Sequence, residues 1–157
     1  MLRELNILAC FCSDFINEID DFEVEMGTDF SCFPTTNEIQ ITVVASAVSV
    51  KEFRENLFLR TSVHNISEFT WSLLHEVGHC KTWHYMNTRT INHCKNIKRK
   101  IERGSLPRTM YYDLTDEKIA TDWAIKFVEN NLALVKTFDS QALKLLDEIY
   151  SKYDLED

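Results

Sequence analysis

Glycine and proline are scarce in this chain, three and two among 157 residues, which argues against the turn-dense architectures of β sandwiches and barrels. No stretch approaches the ~18 consecutive apolar residues that a membrane-spanning helix requires. The apolar run at the start is interrupted by Glu4 and Asn6, so it is not expected to act as a secretory leader. There is no Cys-x-x-Cys pair, and the five cysteines (Cys10, Cys12, Cys32, Cys80 and Cys94) are odd in number and follow no repeat. They read as reduced, mostly buried thiols of a cytoplasmic protein. Basic residues are also in the minority, 17 Lys and Arg against 25 Asp and Glu. A net charge of −8 excludes a nucleic-acid binder that is basic all over, but leaves room for a local basic patch.

What is present is the composition of an ordinary globular protein, 45% hydrophobic and 27% charged, long enough for one domain over residues 1 to 157 with a sizeable core. Leu5, Leu8, Cys12, Phe15 and Ile19 recur at helical spacing and predict an amphipathic helix over 2–20. The acidic cluster Glu18, Asp20, Asp21, Glu23 and Glu25 reads as a solvated face leading to Gly27 and a loop around Pro34. Residues 38–50 are β-branched and alternate at Ile39, Ile41 and Val43, which predicts strand, broken near Ala45 into two. Residues 51–63 fit helix or strand.

Ser67 suits the N-cap of a helix running to about Tyr85, with Phe69, Leu73, Leu74, Val77 and Trp83 on its apolar side. A polar, basic stretch follows over 86–108, with a loop at Gly104–Pro107. The next helix is expected to start with Thr115 as N-cap, to bury Ile119, Ala120, Trp123, Ala124 and Phe127, and to break at Asn130–Asn131. A last helix over 139–153 would bury Leu143, Leu146, Ile149 and Tyr153. A helix-rich α+β domain accommodates these elements.

His75-Glu76-Val77-Gly78-His79 lies inside the helix that Ser67 opens. The helical period places the two histidines one turn apart on one face, where two imidazoles can converge on one tetrahedral zinc. Glu76 is rotated away from that pair and reaches a metal-bound water instead, as a general base. Gly78 in mid-helix costs about 1 kcal/mol relative to alanine, which implies another backbone packed closely there. For the third ligand, Glu117 shares a helix face with Ala120, Thr121 and Ala124, and the small residues would let its helix approach the motif. Asp116 and Asp122 point off that face, Asp113 precedes the helix, and His84 and His93 are out of step with His75 and His79. Glu117 is the preferred ligand, with Asp113 and Asp122 as rivals.

The motif together with Glu117-Lys-Ile-Ala120-Thr121-Asp122-Trp123-Ala124 resembles the gluzincin branch of zincin metallopeptidases, and most of all the small ImmA/IrrE-like peptidases of phages and mobile elements. In these a His-Glu-x-Gly-His helix is followed by a Glu-x-Glu-Ala-Asp/Asn-x-Phe-Ala helix. The family's third zinc ligand falls on Glu117, its alanines on Ala120 and Ala124, and its aromatic residue on Trp123. Ile119 stands in place of the second Glu, and Thr121 in place of the Asp or Asn that orients a ligand histidine. Thr121, or Asp122 beside it, would then carry that role. The resemblance covers residues 67–127 and implies a zincin-like fold: a small sheet, the motif helix beneath it and the ligand helix alongside. It also implies an edge strand that holds extended peptide, for which residues 39–50 are the candidate.

The expected function is a zinc metallopeptidase with one Zn²⁺ per chain on His75, His79 and Glu117, Glu76 as base, and Tyr111, Tyr112 or His84 as donor to the developing oxyanion. Residues 81–108 hold eight basic residues against one acid, Glu102, and could attract an acidic substrate or another anionic partner. Two other classes remain: a zincin-fold interaction module without proteolytic activity, such as a phage-encoded inhibitor of a host factor, and a nucleic-acid-binding protein using segment 81–108. A structural metal site would have no need of Glu76, whereas salt-dependent binding through Lys98, Arg99 and Lys100 would mark the last class.

Overall fold

The computed structural model describes residues 2–44 and 47–153. Helix α1 (Leu2–Asn17) is followed by three short strands, β1 (Glu23–Met26), β2 (Ser31–Phe33) and β3 (Glu38–Ile41). Five helices complete the chain: α2 (Ala47–Phe58), α3 (Glu68–Thr82), α4 (Thr88–Glu102), α5 (Thr115–Asn130) and α6 (Leu132–Tyr153). Single 3₁₀ segments follow α3 (Trp83–Tyr85) and precede α5 (Arg108–Asp113). The architecture is α+β, mostly helix with a small mixed sheet, and none of the described helices is long and apolar enough to cross a membrane.

The strand order is β1-β3-β2, with β1 parallel and β2 antiparallel to β3. Val24 and Cys32 flank Ile39 in register, and Ile39 and Ile41 are fully buried. The acidic stretch expected to be a solvated face thus contributes a strand, because Glu23 and Glu25 face out while Val24 and Met26 turn inward. Asn37 closes the turn between β2 and β3 at φ 55°, a left-handed conformation that its short amide side chain tolerates. That amide donates to the Asp21 carbonyl at 3.2 Å and so ties the turn to the entry of β1.

The strand expected over 38–50 ends at Ile41. Thr42 Oγ1 accepts the Val44 N–H at 3.1 Å and donates to the Val44 carbonyl, a local turn that stops the ladder. The expected break near Ala45 lies outside the described residues, and the chain from Ala47 onward is helix. There the β-branched pattern loses to tertiary packing, since Phe53 and Leu57, one turn apart, are buried against the core.

Helix α3 runs through the centre, with Trp71, Leu73, Leu74 and Val77 essentially inaccessible. Ser67 caps it as the sequence predicts, its hydroxyl accepting the Thr70 N–H at 3.3 Å. Asp139 of α6 reinforces the cap: its carboxylate accepts from the Ser67 N–H (3.1 Å), the Thr70 hydroxyl (2.6 Å) and the Ser67 hydroxyl. A buried carboxylate at a helix N-terminus is stabilised by the donors and by the helix dipole.

Two helix starts differ from expectation. Leu114, not Thr115, is the N-cap of α5, and it offers no side-chain bond. The last helix begins at Leu132 rather than 139, because Asn131 closes α5 with N–H bonds to Phe127 and Val128 and the chain re-enters helix at once to bury Val135 and Phe138. Phe138 stacks between Phe11 and Phe15 of α1, at centroid distances of 5.0 and 3.9 Å. Leu143, expected inside, is instead exposed, and Ala142 faces the core.

Candidate metal centre

The site begins with a backbone contact. A Cβ placed on Gly78 would lie 2.4 Å from the carbonyl oxygen of Ala120, so α3 and α5 meet at a distance that only glycine permits. Ala120, Thr121 and Ala124 are the small, buried residues on the α5 side of that contact. The close crossing carries Glu117, one turn before Ala120, directly over the histidine pair.

Glu117 Oε2 lies 2.9 Å from His75 Nε2, and Glu117 Oε1 lies 3.4 Å from His79 Nε2. The two imidazoles stand edge to face, with centroids 4.6 Å apart. The ligand atoms of His75, His79 and Glu117 all fall within 4.8 Å of one another, and these residues form a group that could hold a metal ion. The donor set fits one: metal–ligand bonds of ~2.0–2.1 Å in a tetrahedron imply ligand–ligand edges of about 3.3–3.4 Å, close to the spacings found.

The other ring nitrogen of His75 is also engaged, Nδ1 lying 3.1 Å from Thr121 Oγ1. With Nδ1–H donating to that hydroxyl, Nε2 keeps its lone pair for the metal. Phe53 of α2 packs against the His75 ring at 5.2 Å and further limits its rotation. Burial alone would raise the Glu117 carboxyl, but hydrogen bonds from His75 and His79 outweigh it and hold the group well below the usual carboxylate range. Burial likewise pushes His79 down, and Glu117 more than reverses this, so its pKa is raised.

Glu76 is half-buried and faces an open cleft of about 300 Å³, shared with His75, Glu117, Ser72, Phe30, Phe53, Tyr111 and Tyr112. The two tyrosines, candidate oxyanion donors, thus share this cleft with Glu76, and burial raises the Tyr112 hydroxyl to about 12. His84 does not join them. It is exposed on the 3₁₀ segment after α3, where its ring lies tilted at 48° against Tyr85, centroids 4.1 Å apart. Asp122 is largely exposed and ion-paired to Arg60, so Thr121 alone supports a ligand histidine. Asp113 is exposed and pairs with Lys118 at 3.2 Å, and His93 is exposed on α4.

Residues 39–50 do not supply an edge strand. Strand β3 is central, bonded on both sides, and the strand beside the motif helix is β2, whose Cys32 thiol is pushed up by Cys80 of that helix and by burial. Asp29 and Phe30, immediately before β2, border the cleft.

Sequence reasoning missed two residues. Lys98, counted there among the charges of a basic segment, turns inward to Glu117 Oε1 (2.5 Å) and Asp116 Oδ2 (2.6 Å). Asp116, expected to face solvent, is mostly buried by this pairing. The signal was present in the helical pattern: Cys94, Lys98 and Ile101 fall at i, i+4 and i+7, a lysine on the buried stripe of a polar helix. Compared with family models, curated proteins and solved structures, the chain matches none.

Proposed function

We propose that this protein is a zinc-dependent peptidase with a zincin-like arrangement, hydrolysing peptide bonds with Glu76 as general base. The observation that carries the reading is the convergence of His75, His79 and Glu117 within coordination reach, two of them, His75 and Glu117, lining a cleft that Glu76 also lines. Two neutral imidazoles and a carboxylate are the donor set of a catalytic zinc, which leaves a fourth position for water or substrate. When bound, zinc would polarise the scissile carbonyl and bring the pKa of a coordinated water towards ~7.

The chain's own residues supply the rest. Thr121 and Phe53 fix the His75 ring, and the Gly78–Ala120 contact sets the height of Glu117 above it. Glu76 takes the proton of the attacking water and returns it to the leaving amine. Tyr111 or Tyr112, both lining the cleft, donates a hydrogen bond to the developing oxyanion; burial raises both phenols further above an ordinary value that already leaves them protonated at neutral pH. Strand β2 has one unpaired edge in the three-stranded sheet, and it supports binding of extended peptide by strand addition.

The discriminating experiment compares wild type with Glu76→Gln on an unbiased peptide library, each protein loaded with one equivalent of zinc. Cleavage by wild type alone supports the peptidase reading. Equal metal content in both proteins, no cleavage by either, and capture of the same partner by both would favour a non-catalytic interaction module. The exposed Arg89, Lys95, Arg99 and Lys100 on α4 support a separate role in attracting an anionic partner, tested by the salt dependence of binding before and after charge reversal at Arg99 and Lys100.

A further inference from the structure

Glu117 does not offer its two oxygens equally. Oε2 faces His75 Nε2 at 2.9 Å, while Oε1, 3.4 Å from His79 Nε2, is held more closely by the Lys98 ammonium at 2.5 Å. Lys98 is itself anchored: Asp116 Oδ2 lies 2.6 Å from Nζ, and the Tyr111 ring centroid 5.1 Å away. Asp116 is locked in turn, its Oδ1 accepting the Glu117 N–H at 3.0 Å in the first turn of α5. A lysine from α4 thus bridges two consecutive acids of α5, and the side chains involved are mostly or wholly withdrawn from solvent.

We propose that Lys98 is a positioning residue that makes Glu117 a one-oxygen metal ligand and thereby keeps a coordination position open for water. The inference rests on the zinc reading given above. A glutamate's terminal torsion is broad and soft, so an unrestrained carboxylate can rotate until both oxygens face a cation. Rotation here would pull Oε1 from a buried ammonium, breaking a short charge-assisted bond in a low-dielectric setting. A compact ammonium suits the task, because it donates to one oxygen of each of two residues where a planar guanidinium would favour both oxygens of one. Lys98 does not line the cleft, so it acts through Glu117 and has no contact with substrate.

The test uses the full chain loaded with one equivalent of cobalt(II), whose visible bands are intense in four-coordinate and weak in five-coordinate sites. Wild type is expected to show the intense bands. Lys98→Met should bind cobalt stoichiometrically with bands several-fold weaker, and Lys98→Arg, which keeps the charge but not the one-oxygen-per-residue geometry, should recover only part of the intensity. Wild-type bands in Lys98→Met at full occupancy would overturn the proposal. If that variant does not fold by circular dichroism, Asp116→Ala removes the lysine's anchor without touching a ligand. It should show the same weakening to a smaller degree, and unchanged bands there would equally overturn the proposal. Failure of wild type to bind cobalt or zinc at all would refute the metal reading itself, a result separable from the others.

Discussion

Gly78→Ala reverses the sign that helix propensity assigns to it. In an isolated helix the change from glycine to alanine stabilises by about 1 kcal/mol. In this fold the new methyl would sit 2.4 Å from the Ala120 carbonyl oxygen and 3.1 Å from its carbonyl carbon, both backbone atoms that cannot rotate away. Ordinary contact begins at about 3.4 Å, so α5 must retreat by about 1 Å along that direction. Overpacking of this kind costs about 1–3 kcal/mol, enough to cancel the propensity gain and leave a net loss. The retreat also carries Glu117, one turn away, from its 2.9 Å and 3.4 Å approaches to the histidines. Urea denaturation of the metal-stripped protein should show the loss of stability, and chelator competition should show zinc affinity lowered about tenfold or more, the scale of a disturbed ligand shell. A variant stabilised by about 1 kcal/mol with unchanged zinc affinity would refute the close crossing of α3 and α5 and the account of how Glu117 reaches the site.

His75→Ala should abolish stoichiometric zinc binding by elemental analysis while Cys80→Ser retains it; zinc held by the first variant would remove His75 from the site. Glu76→Gln should keep metal and fold but lose hydrolysis by about 10²–10⁴-fold, the range of a lost general base, and wild-type turnover would refute its role. Asp139→Ala should cost about 2–3 kcal/mol in urea denaturation, because it strands the Ser67 and Thr70 donors at the start of the motif helix; a change within 0.5 kcal/mol, the ordinary range for ~surface substitutions, would show that the cap is dispensable. In metal-stripped protein the raised pKa of His79 and the lowered pKa of Glu117 set opposite limits on pH. The histidine's contribution is complete below ~6.5 and is lost as pH rises through its raised value, whereas the carboxylate's is present above ~4.3 and is lost as pH falls through its lowered value. The stability advantage of wild type over Glu117→Gln should therefore be greatest between about pH 4.5 and 6.5, and an advantage that grows steadily towards pH 9 would contradict the pairing.

The residues that carry the proposed chemistry were legible in the linear pattern because a helix turns spacing into geometry. His75 and His79 four apart, Glu76 beside them and Ser67 as cap depend only on the period of α3, which is strongly enforced by Trp71, Leu73, Leu74 and Val77. The small residues Gly78, Ala120 and Ala124 were readable for the same reason, as a close approach of the Glu117 helix to the motif helix. Pairing and orientation were not readable in this way. Four-residue strands leave little periodic signal, so β1 and β2 were hidden in an acidic stretch and a loop, and β3 was extended into what is helix α2. Whether β3 was central or at an edge depended on β2 folding back across it, a contact between segments that composition does not encode. Asp139 and Lys98 make the same point from side chains. Each is a charged residue of a type normally solvated, and each is withdrawn from water because an element distant in sequence supplies its counter-charge or donors: Ser67 and Thr70 for Asp139, Asp116 and Glu117 for Lys98. Helical periodicity set out the ligands and the base of this site along the chain, and the tertiary packing of α3, α4 and α5 decided which carboxylate meets them and what holds it there, since burying a charge depends on partners that only the folded chain brings within reach.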